Sequence, residues 1–342
     1  MLRTLHVCRL DKVIPPFIDF VREKVGSNNQ FFLSVGDIEK FSYREAEDSK
    51  HLVGFFKYLK MAFYMNCSEK IILHGLLGRE IVLVLFLQPW LLKKCYWIMW
   101  GADLYSYRKP TRTYKTRVLR YMQGVVFKNV GYLVTGTDGD FQLAKEVYKS
   151  KGKFIKCFNY PSNLYKPFNI IKTDKNDLVF QVGNSGDPTN EHEAAFKLLD
   201  LSQMPNYFKV YCPLSYGDNH YIDLISKKGQ QSFGKKFNPV KEFLSLDKYV
   251  QQLARVDVAI FAHKRQQAFG NIITLLGLGK TVYLDKSNTL YSLLNNMGIK
   301  VHDIEQFQPI RQTTLISERN IDVVKREFSE DSLINSLRKW IL

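Results

Sequence analysis

Cysteine is scarce in this sequence, and the pattern of the few cysteines excludes a disulfide framework. The five are Cys8, Cys67, Cys95, Cys157 and Cys212. Their number is odd, no two form a CxxC pair, and their spacing does not match that of metal ligands. Isolated cysteines of this kind are typical of the reduced cytosol. We therefore expect a cytosolic protein without disulfide bonds.

Long hydrophobic runs are also lacking. The most apolar run, residues 81–92, is interrupted by Gln88 and Pro89. It falls well short of the roughly 20 residues that a membrane-spanning helix needs. The first residues, MLRTLHVCRLDK, contain no apolar stretch long enough for a signal peptide. We expect neither a spanning helix nor a signal peptide.

Acidic residues are too few to balance the basic ones, and the imbalance lies in the first half. The 342 residues carry a net charge of +16. Residues 1–170 hold 27 Lys and Arg against 14 Asp and Glu, whereas residues 171–342 hold 22 against 19. A basic half indicates an anionic partner such as nucleic acid, an acidic lipid surface or a lipid-linked pyrophosphate. A solvated basic face without a partner gives the same composition.

Length and hydrophobic pattern predict two α/β domains. A chain of 342 residues is too long for one ordinary core. Short apolar runs alternate with helical segments, which favours parallel sheets with a cleft between two lobes. We expect strands at residues 4–8, 31–35, 71–73, 95–99, 131–135, 178–182, 208–211, 256–261 and 281–284, and helices at 48–64, 81–92 and 138–149. A linker near residues 163–167 divides the chain into domains 1–166 and 167–342.

A loop rich in small turn-forming residues follows the predicted strand at 178–182. It matches neither a P-loop nor GxGxxG. Its backbone N–H groups can approach a ligand closely, and the next helix, expected to start near residue 190, points its positive end at the loop. This combination predicts a phosphate site, although an ordinary turn with a capping asparagine fits as well. The donor-binding candidates here are Gly183, Asn184, Ser185, Gly186, Asp187 and Asn190.

Two titratable residues sit at the ends of predicted strands in the first half. Ligands collect beyond the carboxyl ends of parallel strands, and both His74 and Asp103 lie there. Either could act as a general base toward an acceptor hydroxyl if the reaction is a direct displacement. The alternatives are a reaction without a base, a hydrogen-bonded core histidine for His74, and a helix cap for Asp103.

A basic and aromatic segment covers residues 105–128. No acidic residue occurs between Asp103 and Asp138. Basic side chains attract lipid phosphates and Tyr rings favour an interface, so we expect this segment to face an anionic membrane through salt-sensitive contacts. An RNA-binding surface would look similar. The residues expected to touch the membrane or the acceptor are Arg108, Lys109, Arg112, Lys115, Arg117 and Arg120.

Three longer motifs resemble glycosyltransferase family 56. They are WIMWGADLY at residues 97–105, VGNSGDPTNEH at 182–192 and RQQAFGN at 265–271. They occur in the order found in that family, whose enterobacterial members add Fuc4NAc (4-acetamido-4,6-dideoxygalactose) from a TDP sugar to lipid II of enterobacterial common antigen. This sequence departs from the family pattern at His263 and Lys264, which are two additional residues.

The resemblance implies a GT-B fold, with two Rossmann-like parallel-sheet domains facing each other across a cleft. It implies a TDP-sugar donor in the second domain, an undecaprenyl-pyrophosphate-linked acceptor at the first, and peripheral attachment to the cytoplasmic face of the bacterial inner membrane. The expected function is transfer of a Fuc4NAc-like sugar in surface polysaccharide synthesis, of the O-antigen or enterobacterial common antigen type. A non-catalytic protein that binds nucleotides or nucleic acid through the basic half is the alternative.

The resemblance also suggests how charge is stabilised at the donor site. Arg265 and the N–H groups of residues 184–186 are expected to stabilise the negative charge that grows on the nucleoside diphosphate, without a metal or another cofactor. Gln266 and Gln267 are expected to bond sugar hydroxyls or the acetamido group.

Three further side chains complete the expected donor site. Glu191 and His192 lie within reach of the donor, although a first-turn acid and a capping histidine explain them almost as well. Residues 213–217 are expected to meet the thymine ring, with Tyr216 stacked on it.

Overall fold

The computed structural model describes residues 2–26, 28–170 and 177–342. The chain divides into two compact units. Unit 1 comprises Met1–Ser162 and Glu330–Leu342, and unit 2 comprises Asn163–Ser329.

Unit 1 is built on a parallel sheet whose strands alternate with helices. Its elements are β1 (Leu2–Arg9), α1 (Ile14–Phe20), β2 (Gln30–Val35), β3 (Ser49–His51), α2 (Lys57–Asn66), β4 (Ser68–His74), α3 (Arg79–Leu87), β5 (Cys95–Ile98), α4 (Gly101–Leu104), α5 (Tyr114–Asn129), β6 (Tyr132–Thr135), α6 (Asp138–Tyr148) and β7 (Lys153–Lys156). The seven strands follow the order β3-β2-β1-β4-β5-β6-β7. Large buried side chains such as Trp97 and Phe127 fill the core against this sheet.

Unit 2 repeats the same plan with six strands. Its elements are β8 (Leu178–Val182), α7 (His192–Leu201), β9 (Phe208–Pro213), α8 (Asn219–Phe233), β10 (Phe237–Val240), α9 (Leu246–Arg255), β11 (Val258–Phe261), α10 (Phe269–Gly277), β12 (Thr281–Leu284), α11 (Thr289–Asn296), β13 (His302–Asp303) and α12 (Thr314–Glu327). The strand order is β10-β9-β8-β11-β12-β13. All strand pairs of both sheets are parallel, as predicted from the βα alternation.

The last helix, α13 (Glu330–Ile341), returns to unit 1. We expected residues 330–342 in the second domain. The helix buries Leu333, Leu337, Trp340 and Ile341, and the Gln30 side chain donates to the Ile341 carbonyl at 3.1 Å. An amphipathic pattern predicts that a helix packs on something, but it does not say on which unit. The packing of this helix on unit 1 could therefore not be predicted from the sequence.

Each of the nine predicted strands overlaps an observed one, and the predicted helices needed more correction. Residues 48–64 are not one helix, because residues 49–51 form β3 against β2 and α2 starts only at Lys57. The helix expected over 81–92 ends at Leu87, and a 3-10 segment follows from Pro89, whose ring removes a backbone donor. Helix α6 confirms the prediction at 138–149.

In each sheet the strand order reverses next to the first strand of that unit. The reversal falls between β1 and β4 in unit 1 and between β8 and β11 in unit 2. In open α/β sheets a crevice forms beyond the carboxyl ends of the two strands that flank such a reversal, and ligands bind there. This rule identifies one loop cluster in each unit where a site is expected.

Candidate active site

The candidate donor site in unit 2 is formed by the loops that follow β8 and β11. These strands are neighbours, with Val258 paired to Phe180 and Ile260 to Val182. The glycine loop (residues 183–191) leaves the end of β8, and a second loop (residues 262–268) leaves the end of β11. Both loops therefore emerge at the strand reversal of unit 2.

The amide of Asn190 holds the glycine loop together. Its Oδ1 atom accepts from the Asn184 N–H at 3.1 Å, while its Nδ2 donates to the carbonyls of Ser185 and Asp187, each at 3.0 Å. Asn190 is buried, so these bonds compete with little water. The side chain thus determines the shape of the loop rather than capping the next helix.

The helix after this loop begins later than expected. Residues Pro188–Asn190 form a short 3-10 turn, Glu191 takes a left-handed conformation with φ 55°, and α7 starts at His192. Glu191 is exposed. His192 is fully buried below the loop, where its Nδ1 lies 3.2 Å from the Tyr221 hydroxyl. Burial lowers the pKa of His192 to about 4, so the ring is neutral.

Most backbone donors expected to bind phosphate are already used inside unit 2. The Gly183 N–H donates to the Ile260 carbonyl at 3.0 Å and the Gly186 N–H to the Tyr216 carbonyl at 2.7 Å. The Asn184 N–H is taken by Asn190. Residues 183–186 are all described, and among them only the Ser185 N–H forms no hydrogen bond of this kind. The expected cradle of consecutive N–H groups is therefore not formed.

Gly186 is small for a packing reason. A Cβ placed on it would lie 2.1 Å from Cγ1 of Ile222 in α8. Gly217 faces Gly186 just as closely, with a hypothetical Cβ 2.3 Å from the Gly186 carbonyl carbon. These glycines let the loops after β8 and β9 touch. The loop at 213–217, with Tyr216 half-exposed, consequently supports the glycine loop, and the Asn184 amide donates to the Tyr216 hydroxyl at 3.3 Å.

A chain of polar contacts joins the glycine loop to the loop after β11. The Thr189 hydroxyl donates to Asp187 Oδ1 at 2.5 Å and lies 3.0 Å from Gln267 Oε1. Arg265 Nε donates to that Gln267 oxygen at 2.7 Å. Arg265 Nη2 lies 3.7 Å from the Asp187 carboxylate. The predicted site residues Asp187, Arg265 and Gln267 are thus brought together, although they are far apart in the sequence. Gln266 is partly exposed in the same loop.

Several buried polar atoms around these loops have no hydrogen-bond partner within the described residues. They are Asn184 Oδ1, His192 Nε2, His263 Nε2 and Gln267 Nε2. An unsatisfied buried polar atom costs about 1–3 kcal/mol. Atoms of this kind in one loop cluster indicate a position where a polar ligand or water supplies the missing partner.

Sequence reasoning missed how His263 is used. It is fully buried at the end of β11, and burial lowers its pKa to about 4. Its Nδ1 lies 3.0 Å from the Arg265 carbonyl, which can only accept, so the proton of the neutral ring is on Nδ1. The Asn288 amide donates to the His263 carbonyl at 3.0 Å. Asn288 also donates to the Arg265 carbonyl at 2.9 Å. The additional residue His263 therefore helps to fix the loop that carries Arg265.

In unit 1, Asp103 is a buried structural acceptor. Its Oδ2 accepts from the Leu76 N–H at 2.7 Å and Trp97 Nε1 at 2.8 Å. Its Oδ1 accepts from the N–H groups of Trp100 and Leu104. Burial raises the pKa of Asp103 to about 6, and these bonds oppose the rise. With four donors on two oxygens and no exposure, the carboxylate is poorly placed to take an acceptor proton.

His74 is likewise buried, in a chain of hydrogen bonds with a fixed direction. Gln30 Oε1 can only accept, so His6 donates through Nε2 at 2.8 Å and accepts at Nδ1 from His74 Nε2 at 3.0 Å. His74 Nδ1 then accepts from the Tyr160 hydroxyl at 2.9 Å. Burial lowers the pKa of His6 to about 4 and that of His74 well below its usual value. Both nitrogens of His74 are used.

A different carboxylate, Asp11, lies where the strand order of unit 1 favours ligand binding. It follows β1, at the strand reversal of unit 1, and is partly exposed. No hydrogen bond to its side chain is formed by the described residues. The sequence shows that Asp11 follows a strand. It does not show that the strand order reverses beside this strand, which is what makes its end a favoured position for a ligand.

The basic segment forms the surface of α5 and the turn before it. Arg108, Lys109, Arg112, Lys115 and Arg117 are exposed and Arg120 is partly exposed. Arg108 packs over the ring of Tyr105 at 4.9 Å from its centroid. The sequence did not predict α5, because Tyr, Lys and Arg at mixed spacing gave no clear helical period.

Within the described residues, no group of three or more His, Cys, Asp or Glu side chains is arranged to hold a metal ion. One Asp-x-Asp spacing does occur, at Asp138 and Asp140. Asp138 pairs with Lys156 at 2.8 Å, and Asp140 is buried in the first turn of α6. A metal-independent reaction remains a prediction.

None of the helices in the described part of the chain combines the length and the apolar character needed to cross a bilayer.

Comparison with known proteins identifies a family and a fold. A model of the family "4-alpha-L-fucosyltransferase glycosyl transferase group 56" matches residues 48–327. The solved structure of HepE from Anabaena, in complex with UDP and glucose, has a TM-score of 0.65 at 11% identity and 99% coverage of both chains.

Two further solved structures share the fold. Sucrose-phosphate synthase from Thermosynechococcus elongatus has a TM-score of 0.69 at 10% identity, with 98% of each chain covered. WaaG, a glycosyltransferase involved in lipopolysaccharide biosynthesis, has a TM-score of 0.58 at 10% identity, with 99% of this chain and 95% of that chain covered. The expected GT-B class, with two parallel-sheet α/β domains, is confirmed.

We predict that unit 1 loses stability as the pH falls from about 6.5 to 4. The folded pKa values of His6 and His74 are lowered, so the unfolded chain binds two more protons there. Asp103, whose pKa is raised to about 6, opposes this with one proton. His51, also in unit 1, has a lowered pKa as well and adds to the loss, so the net loss is at least about 1.4 kcal/mol per pH unit. All four tryptophans belong to unit 1, so tryptophan fluorescence during urea unfolding reports unit 1.

The matched variants for this titration are His74→Asn and His220→Asn. The first variant removes one of the two buried histidines that take up a proton on unfolding, so the free energy of unfolding should fall less steeply between pH 6 and 4. His220 is exposed in unit 2, and its replacement should leave this slope unchanged. An equal slope in all three proteins would show that His74 does not titrate as its burial requires.

We also predict that Asn190→Asp loosens the glycine loop. The new carboxylate oxygen would face the Ser185 and Asp187 carbonyls, to which the amide now donates. Lost bonds at buried acceptors cost about 1–3 kcal/mol each. Hydrogen exchange followed by mass spectrometry should therefore show faster exchange of peptides covering residues 183–191. Asn219→Asp, the same change at an exposed asparagine, should not. Unchanged exchange in Asn190→Asp would contradict the role given to this amide.

Proposed function

The chain belongs to the 4-alpha-L-fucosyltransferase family, glycosyl transferase group 56, and we propose that it transfers a Fuc4NAc-like acetamidodideoxyhexose from a TDP sugar to a lipid-linked saccharide. The class of the enzyme, a glycosyltransferase with a nucleotide-sugar donor, follows from the family. The donor sugar, the acceptor and the pathway are the proposed part. The alternative of a non-catalytic binding protein does not fit, because the family is one of enzymes.

The observation that carries the proposal is the loop cluster at the strand reversal of unit 2. Arg265 contributes a charge there, and Asn184, Gln267 and His263 contribute buried atoms without partners. HepE, which shares this fold, was solved in complex with UDP and glucose and with UDP-glucose. We infer that the nucleoside diphosphate and the donor sugar occupy the corresponding cluster in this chain.

The diphosphate is proposed to lie at the start of α10 rather than at the start of α7. The first N–H groups of a helix have no partner within the helix, and its dipole favours an anion. Helix α10 begins at Phe269, four residues after Arg265. The glycine loop before α7 instead uses its N–H groups for its own structure. Arg265 and the first turn of α10 would together stabilise the charge growing on the departing diphosphate.

The sugar is proposed to be recognised by the side-chain amides of both loops. Gln267 keeps an unpaired Nε2 donor and Asn184 an unpaired Oδ1 acceptor. A donor and an acceptor of this kind can pair with the carbonyl and N–H of an acetamido group, or with hydroxyls. Gln266 is a further candidate. Glu191 is exposed, and His192 is buried beneath Gly183, so we give neither a direct role.

The acceptor hydroxyl is proposed to lie at the strand reversal of unit 1. Asp11 is the better candidate for general base there, because its carboxylate is partly exposed, whereas Asp103 and His74 are buried and fully bonded. This role applies if the sugar is transferred by direct displacement.

The acceptor is proposed to be an undecaprenyl-pyrophosphate-linked saccharide at the cytoplasmic face of the inner membrane. The exposed basic residues Arg108, Lys109, Arg112, Lys115 and Arg117 support attachment to an anionic surface. WaaG, which has this fold, is involved in lipopolysaccharide biosynthesis. Surface polysaccharide synthesis of the O-antigen or enterobacterial common antigen type is consistent with both observations. No nucleic-acid partner is proposed.

The proposal is tested by incubating the purified protein with TDP-Fuc4NAc and a short-chain lipid pyrophosphate disaccharide, followed by mass spectrometry. The expected product is heavier by one acetamidodideoxyhexose. TDP-glucose and UDP-GlcNAc serve as competing donors. Efficient transfer from either of these, with none from TDP-Fuc4NAc, would contradict the proposed donor.

Two variants with matched controls test the proposed roles. Arg265→Ala should lower kcat/KM by one to three orders of magnitude, as expected for loss of one transition-state donor. Lys264→Ala removes the same charge from the exposed neighbour and should have little effect.

Asp11→Asn should lower kcat by about 100-fold or more if Asp11 is the base. The control Asp19→Asn, at an exposed aspartate, should leave kcat unchanged. Wild-type rates in Arg265→Ala or Asp11→Asn would remove that residue from the mechanism.

A further inference from the structure

Unit 1 exposes an unusual number of large apolar side chains on three neighbouring helices. More than half of the large hydrophobic side chains exposed in the described part of the chain lie between Val53 and Tyr121. Phe55 in the turn before α2 is 83% exposed, and Trp90 after α3 is 62% exposed. Scattered exposed apolar residues are normal, but a concentration in one region marks an interaction surface.

These side chains form one stripe on each helix. Helix α2 exposes Leu59 and Phe63, with Phe56 one turn before them, and α3 exposes Leu83 and Leu87. Spacings of three and four residues put such positions on one helix face. Because α2 and α3 also bury apolar residues on the opposite side, they are apolar on two faces. A helix of this kind is suited to a lipid environment or to a second apolar surface.

The three helices lie side by side in the order α2, α3, α5. Lys57 at the start of α2 bonds Glu80 at the start of α3 at 3.2 Å. At the other end, Trp90 Nε1 donates to Asn66 Oδ1 at 3.1 Å. Phe86 of α3 meets the ring of Tyr121 of α5 at 6.1 Å between centroids. The stripes of α2 and α3 are therefore continuous with that of α5, where Tyr114, Val118 and Tyr121 are exposed.

The charges of this α2–α3–α5 face favour an anionic bilayer. Helix α5 carries Lys115, Arg117, Arg120 and Lys128 and no acid. The residues of all three helices are described, and Glu80 is the only acidic residue among them. It is already paired with Lys57 and Arg9. A second copy meeting the same face about a two-fold axis would bring its basic residues against these. Anionic lipid headgroups would neutralise them instead.

We propose that the α2–α3–α5 face inserts its apolar side chains into an anionic lipid bilayer, flanked by the basic residues of α5. The proposal deepens the membrane attachment included in the proposed function. From composition alone we expected attachment by charge, which high salt reverses. The exposed apolar side chains add a contribution that salt does not reverse. Interfacial aromatic side chains beside basic residues hold a protein at the headgroup level, and apolar burial is not screened by salt.

The test measures binding to vesicles of phosphatidylcholine with phosphatidylglycerol in low salt and in about 1 M salt, where the Debye length is about 3 Å. The apolar variant is Phe55→Gln, Leu59→Gln, Phe63→Gln and Leu87→Gln. The matched control replaces four apolar side chains exposed in unit 2, as Leu201→Gln, Tyr207→Gln, Ile310→Gln and Leu315→Gln. Urea unfolding confirms that each variant is folded.

The wild type and the control should keep a measurable bound fraction in high salt. The apolar variant should lose about tenfold or more of this salt-resistant partitioning, since burial of a single Leu or Phe is already worth that factor. The basic variant, with Arg112, Lys115, Arg117 and Arg120 changed to Gln, should lose binding in low salt but keep the salt-resistant part. Brominated lipids should quench Trp90, and the quenching should be largely lost in Trp90→Phe.

Three results would overturn the inference. The first is complete release of the wild type by salt, and the second is unchanged salt-resistant binding of the apolar variant. The third is a dimer in analytical ultracentrifugation that the apolar variant dissociates, with no vesicle binding by the wild type. Transfer to a short-chain acceptor, measured with the wild type without vesicles, reports the proposed function separately, so failure of one does not imply failure of the other.

Discussion

The candidate donor site depends on a tight loop whose backbone N–H and carbonyl groups must find hydrogen-bond partners within the protein. The glycine loop leaves β8 beside β11 with its polar groups largely removed from water. The Asn190 amide replaces that water by accepting from Asn184 and donating to the Ser185 and Asp187 carbonyls. With Asp187 fixed in this way, Arg265 of the neighbouring loop is held against it, and Arg265 in turn donates to Gln267. The site is thus organised by a hydrogen-bonded asparagine, and the glycines serve close packing.

The sequence predicted most of the sheet and only part of the site. Strands such as β8 and β12 were readable because buried parallel strands are short continuous apolar runs bounded by turn residues. The motifs also predicted that residues 183–190 and 265–267 belong to one site. The structure brings Asp187, Arg265 and Gln267 together, and their role in donor binding stays a prediction. What could not be predicted depends on tertiary contacts: which N–H groups the loop uses itself, why Gly186 must be small, and on which unit α13 packs. Each is decided by a residue distant in the chain, such as Ile222 for Gly186.

Unit 1 shows why a titratable residue at a strand end is weak evidence for catalysis. Asp103 and His74 occupy such positions, yet both serve the fold. Asp103 ties the turn after β4 to the start of α4. His74 belongs to a hydrogen-bonded chain that begins at the Ile341 carbonyl of α13 and passes through Gln30, His6 and Tyr160 to Trp100. Since each member has one possible direction of donation, the chain fixes both histidine tautomers and links the C-terminal helix to the middle of the sheet.

The same unit joins the proposed acceptor region to the proposed membrane surface through very short connections. Helix α2 ends at Asn66 and β4 begins at Ser68, while α3 begins at Arg79, soon after β4 ends at His74. The turn at residues 75–78 leads directly into α3, and near it Lys57 at the start of α2 bonds Glu80 at the start of α3. An acceptor whose tail stays in the bilayer can be reached only at the headgroup level. Attraction by charge alone would leave the depth of the protein undefined, because it acts over a Debye length of about 8 Å. Inserted side chains act at contact distance, so they would fix the height of this turn above the lipid more closely than the charges do.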